Sequence, residues 1–131
     1  MVYSEFGSAP VAHMEKIDER TYKFAQRILR LVVSMTPNAS SDVLGRQLLR
    51  SGTSVGADVE EAYAAISQRE FAQKMSIALK EARETHSWLR LIRDAKLVPA
   101  NRIDSLIQEA LEIKLILGKT VMTSKKLNGN R

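Results

Sequence analysis

Apolar residues recur at steps of three and four in four successive runs, and this periodicity constrains the fold more than any other feature. The first run holds Ile17, Phe24, Ile28, Leu31, Val32 and Met35. Pro37 closes it, because the residue before a proline avoids the α region. The second holds Leu44, Leu48, Gly52, Val55, Val59, Ala62 and Ile66, with Ser40 or Ser41 placed to cap it. The third holds Phe71, Met75, Ala78, Leu79, Ala82, Leu89 and Ile92 and stops near Leu97, ahead of Pro99. The fourth starts near Ala100 with Ile103, Leu106, Ile107, Ala110, Ile113, Leu117 and Val121. Each spacing is that of an amphipathic helix with one buried face.

Between the second and third runs no glycine or proline intervenes. Ser67 with Glu70 fits a capping box and places a boundary there, with a kink as the alternative. Four helices of about 20–28 residues on short connections predict an all-α, antiparallel up-down four-helix bundle over residues 16–122. Residues 1–15, broken by Gly7, Ser8 and Pro10, read as a flexible arm, and residues 123–131 as a basic, flexible tail.

The chain of 131 residues has no cysteine, so disulfides, thiolate zinc sites and cysteine nucleophiles are excluded. A reducing cytoplasm is the compartment this composition fits. No apolar stretch approaches the roughly 18 residues of a membrane span. No metal or other cofactor is expected: the two histidines, His13 and His86, lack the Glu-x-x-His pattern of di-iron bundles. His86 reads as a polar interhelical residue rather than a ligand. Neither phosphate-loop motif occurs, and "GTSVG" at 52–56 follows no strand, as a nucleophile elbow would.

Gly52 and Gly56 lie four apart in the second helix, where each costs about 1 kcal/mol relative to alanine. They imply either a close helix–helix seam or a shallow ligand crevice. One step round the same helix stand Arg50, Ser54, Asp58 and Glu61, with Glu81 and Glu84 beside the apolar face of the third helix. A polar network that fixes register between helices is the first reading, with Arg50 met by Asp58 or Glu84. An acid–base pair is the second, and nothing in the sequence completes a mechanism for it, so no enzyme activity is expected.

Lys16, Arg20, Lys23, Arg27 and Arg30 step by four, three, four and three along the first helix. With a net charge of +5, this row reads either as a solvated face or as a phosphate-contacting one. The third helix adds Lys74, Lys80, Arg83, Arg90 and Arg93. Few aromatics accompany them, which favours backbone or shape recognition of structured RNA, ahead of DNA duplex, over base stacking. Trp88, Leu91 and Ala95 form a second apolar edge, suited to a subunit contact or to capping the bundle end.

Gln47, Arg50, "SGTSVGADVEEA" (51–62) and "EFAQKMSIALKEARETHSWLRLI" (70–92) together resemble the bacterial four-helix-bundle proteins of the 23S rRNA intervening-sequence family. The likeness covers roughly residues 18–122. That family's founding members are encoded by insertions in large-subunit ribosomal RNA genes. A related branch is the accessory variability protein of diversity-generating retroelements, which associates with nucleic acid and a reverse transcriptase. The resemblance implies a homopentamer with basic surface and no known catalytic activity. It matches Arg50, Ser54, Glu61 and Glu84 to the same residue types. It departs at Asp58, where the family pattern usually has asparagine, and at Ala62, where it usually has glycine. The implied role is nucleic-acid binding, with a ring-shaped adaptor for an enzyme such as a reverse transcriptase as the alternative.

Overall fold

A computed structural model describes residues 15–129. The expected arm, His13 included, lies outside the described residues except for Glu15. The described residues form four helices, α1 (Ile17–Ser34), α2 (Ala39–Tyr63), α3 (Gln68–Asp94) and α4 (Ala100–Gly129), and no strand.

Each helix packs on two neighbours. The close pairs are α1–α2, α2–α3, α3–α4 and, least extensively, α1–α4, while the diagonal pairs stay apart. The α2/α3 side and the α1/α4 side therefore lie opposite each other. The four apolar stripes meet in one core centred on Phe24, Ile28, Leu48, Val55, Met75, Leu89, Ile92, Ile103, Ile113 and Leu117, all almost fully buried. Fully burying each such side chain stabilises the fold by about 1.5–3 kcal/mol.

The helix ends show where local chemistry decides. Asn38, not Ser40 or Ser41, caps α2: its side-chain oxygen accepts from the Ser41 N–H at 2.9 Å. Both serines are inside the helix. The Ser67 hydroxyl accepts from the Glu70 N–H at 3.0 Å, and Glu70 accepts in return from the Ile66 N–H at 3.2 Å. Ile66 is thereby held in the turn and is 95% exposed, so the buried stripe of α2 ends at Ala62 rather than at Ile66. α3 ends in a Schellman turn. The Leu97 N–H bonds to the Ile92 carbonyl at 3.1 Å and the Lys96 N–H to the Arg93 carbonyl at 2.9 Å. Lys96 takes the left-handed conformation (φ 56°) that such a turn requires.

α4 continues to Gly129 instead of ending near residue 122, where a flexible tail was expected. Val121 and Ser124 are buried, so the inner face persists one more turn and carries the helix through the polar segment.

Candidate nucleic-acid interface

The glycines of α2 face α1. A β-carbon at Gly52 would lie 2.9 Å from both γ-carbons of Ile28, and one at Gly56 would lie 3.3 Å from the Thr21 carbonyl group. Ile28 and Thr21 are both fully buried. The space beside the glycines is thus filled by α1, and the alternative of a ligand crevice there does not hold. Two surface depressions, one of them beside Tyr22 and Glu60, are both open to solvent.

The polar line of α2 faces α3. Arg50 is hydrogen-bonded to Glu84, to Glu81 at 3.3 Å and to Gln47 at 3.3 Å. The Glu84 carboxylate raises the pKa of the Arg50 guanidinium. Lys74 pairs with Glu61 at 3.1 Å. The Ser51 and Thr85 hydroxyls, both buried, lie 2.9 Å apart beneath this surface. Two expected members behave differently. Ser54 donates to the Arg50 backbone carbonyl in its own helix at 2.7 Å. Asp58 makes no ion pair with Arg50; it is half-buried, and burial followed by the nearby Glu61 and Glu81 carboxylates raises its pKa. Trp88, one turn beyond Glu84, has a buried indole N–H with no acceptor among the described residues.

The cationic row of α1 lies along α4, and its second member, Arg20, is already engaged by carboxylates. The Arg20 guanidinium grips Glu109 through two hydrogen bonds of 2.7 Å and reaches Glu112 at 2.7 Å. Its side chain is only 21% exposed. Glu109 first, and Glu112 with it, raise the Arg20 pKa, while Arg20 and then Gln108 lower that of Glu112. Arg20 is therefore an interhelix clamp, and a phosphate would have to compete with Glu109 and Glu112 for its guanidinium. Lys23 pairs with Glu15 at 2.7 Å, and Arg27 donates to the Ser105 hydroxyl at 2.9 Å. Arg30 is exposed and has no acidic partner among the described residues. Lys16 is exposed as well.

A second cationic surface lies where α3 meets α4. Lys80, Arg83 and Arg90 are exposed on α3 and pair with no carboxylate among the described residues. Lys114 of α4 lies 3.3 Å from Nδ1 of the buried His86. Burial first, then Lys114, Arg90 and Arg93, lower the His86 pKa, so the neutral ring accepts from the lysine. Of the other α3 cations, Lys74 is held by Glu61 and Arg93 by Asp94 at 2.9 Å.

Among the described residues no group of His, Asp or Glu could hold a metal ion, and no helix is long and apolar enough to cross a membrane. These features define a helical bundle with basic surface, pinned between helices by ion pairs. The chain belongs to the 23S rRNA-intervening sequence protein family, whose model matches residues 15–119. A solved relative is a protein of unknown function from the S23 ribosomal protein family of Bacteroides thetaiotaomicron VPI-5482. It is 34% identical, with a TM-score of 0.75, and the match covers 81% of this chain and 98% of that one. No curated protein matches.

Proposed function

We propose that this chain is a non-enzymatic cytoplasmic protein that assembles into a ring, a homopentamer by family resemblance, and binds nucleic acid, RNA ahead of DNA. Its helices alternate in direction. Arg20 meets Glu109 and Glu112 while Arg27 meets Ser105, so residues advance along α1 as they retreat along α4.

The observation that carries the binding reading is the unpaired row Lys80, Arg83 and Arg90, beside Lys114. Unneutralised cations attract phosphate, and after burial it is Lys114 and Arg90, together with Arg93, that lower the His86 pKa, which supports a positive local field at that end of the row. The α1 row is the weaker face, because Arg20 and Lys23 are already engaged. The family's description points to ribosomal RNA genes, which favours RNA. The test is fluorescence anisotropy with a labelled RNA hairpin and a DNA duplex of equal length, titrated with salt. Steep salt dependence with tighter RNA binding is expected; no binding of either at low salt rejects the reading.

The adaptor reading has its own support. Leu115 and Met122 are each 63% exposed, seven residues apart on α4, and form an apolar strip suited to a protein partner.

A further inference from the structure

We infer that the seam between α3 and α4 seats one backbone phosphate of RNA against Lys114 and His86, and that seating it draws a proton onto His86. This rests on the RNA-binding reading above and adds a proton switch to the cationic surface named there.

The geometry begins with one contact. The Lys114 ammonium lies 3.3 Å from Nδ1 of His86. An ammonium has only donors, so Nδ1 accepts and the neutral ring carries its proton on Nε2. His86 is 8% exposed and Lys114 is half-buried, so the pair lies within the seam and keeps an edge to solvent. Arg83 and Arg90 stand three residues before and four residues after His86, one turn away in each direction on its side of α3. Both are exposed. Gly118 lies one turn beyond Lys114 on the same side of α4, with open space where its β-carbon would be. An oxyanion entering here finds donors on both helices and no side chain at position 118 in its way.

The charged groups that act on His86 are all cations: Lys114 from α4, and Arg90 and Arg93 from α3. The acids of the adjoining elements are engaged elsewhere. Glu81 and Glu84 of α3 meet Arg50 of α2, and Asp94 meets Arg93. Glu61 of α2 meets Lys74, and Glu109 and Glu112 of α4 meet Arg20 of α1. Asp104 precedes Lys114 by ten residues, about 15 Å along α4.

Burial and these cations favour the neutral ring. A proton added at Nδ1 turns the acceptor into a donor that faces an ammonium, and the hydrogen bond between them is lost. A phosphate oxygen reverses the balance. It accepts from Nδ1–H and from Nζ together, and its charge offsets both. Phosphate and proton therefore each raise the affinity for the other. The proton comes from solvent and returns there when RNA leaves. His86 titrates below the ordinary histidine value in the free protein and higher in the complex. Affinity then rises as pH falls from the bound value to the free one, and is level outside that interval.

The test measures anisotropy of a labelled RNA hairpin at fixed salt from about pH 8 to about pH 5.5, with circular dichroism at each pH to confirm helix content. The parent is expected to bind about threefold tighter or more at the lower pH. His86→Gln is expected to lose that dependence, and His13→Gln to keep it. A parent whose affinity is steep in salt and level in pH overturns the proton switch and leaves the RNA-binding reading standing. His86→Gln that tightens as the parent does also overturns it. No binding at any pH in low salt removes both. Should His86→Gln lose helix content, ring NMR of the parent decides, the His13→Gln variant assigning the two histidine signals. The His86 midpoint is expected to move to higher pH when the hairpin is added, and an unmoved midpoint rejects the inference. A midpoint moved by inorganic phosphate and not by the hairpin makes the seam an anion site apart from RNA, and rejects it as well.

Discussion

Gly52 lies so close to Ile28 that a β-carbon on it would stand 2.9 Å from both of the isoleucine's γ-carbons. Ile28 is fully buried and β-branched, so it has little freedom to turn away. α1 and α2 can approach this closely only because position 52 has no side chain. Gly118 in α4 is the opposite case, with open space where its β-carbon would be.

Gly52→Ala is therefore expected to destabilise by about 1–3 kcal/mol, overpacking outweighing the gain in helix propensity. Gly118→Ala should stabilise by about 0.5–1 kcal/mol. Urea melts of the two variants beside the parent check the pair, and equal effects of the same sign would refute the seam.

Arg20→Ala leaves Glu109 and Glu112 facing each other without their cation. A loss of about 1–3 kcal/mol is expected in the same melts, since the group is partly buried and its partners stay charged. RNA affinity should not change. A loss of affinity without a loss of stability would return Arg20 to the phosphate-contacting surface.

The Asp58 carboxyl has its pKa raised in the folded state, so the fold favours its protonated form. Its contribution to stability is full below the ordinary carboxylate range and is lost as pH rises through the folded value. Asp58→Asn should therefore melt higher than the parent at about pH 7, and the gap should close toward about pH 4. A gap that is constant with pH, measured by thermal melts in low salt, would show that the carboxyl is not perturbed.

Replacing Lys80, Arg83 and Arg90 by glutamate should weaken RNA binding at least tenfold while leaving the helix content intact. The slope of log affinity against log salt should fall by about 0.7–0.9 for each phosphate contact removed. The same replacements at unpaired positions elsewhere, such as Arg102, should have a smaller effect. An unchanged slope would place the contact on another face.

Lys96 adopts a left-handed conformation that glycine takes without cost. Lys96→Gly is expected to raise stability by about 0.5–1 kcal/mol, read from the denaturation midpoint at unchanged m-value. Destabilisation instead would mean that the lysine side chain holds the turn.

Much of the fold was legible because one signal, apolar spacing, is local and repeats many times. Val55 and Val59, or Ile113 and Leu117, announce a buried stripe without reference to any other helix. The Ser67–Glu70 cap was legible for the same reason. Asn38 was harder, since four residues in succession, Asn38 to Ser41, include three able to cap and only the backbone path selects one. The end of α4 misled because Thr123, Lys125 and Lys126 are polar, although Ser124 is small enough to pack inward. At the candidate site, the α1 row could be read as a row. That Arg20 turns to Glu109 and Glu112 could not, because it depends on which helix stands beside α1. The contact between His86 and Lys114 is hidden likewise, and so is the isolation of Asp58 from Arg50.

The lean seam between α1 and α4 has a temporal consequence. α1 is the shortest helix and leans mainly on α2, so under mild denaturant its amides are the first to exchange with solvent. The other three helices remain docked longer, each held along its length by α3 or by both its neighbours. Detachment of α1 then exposes Gly52 and Gly56 together with the floor of the core, and sets the point from which the whole molecule comes apart.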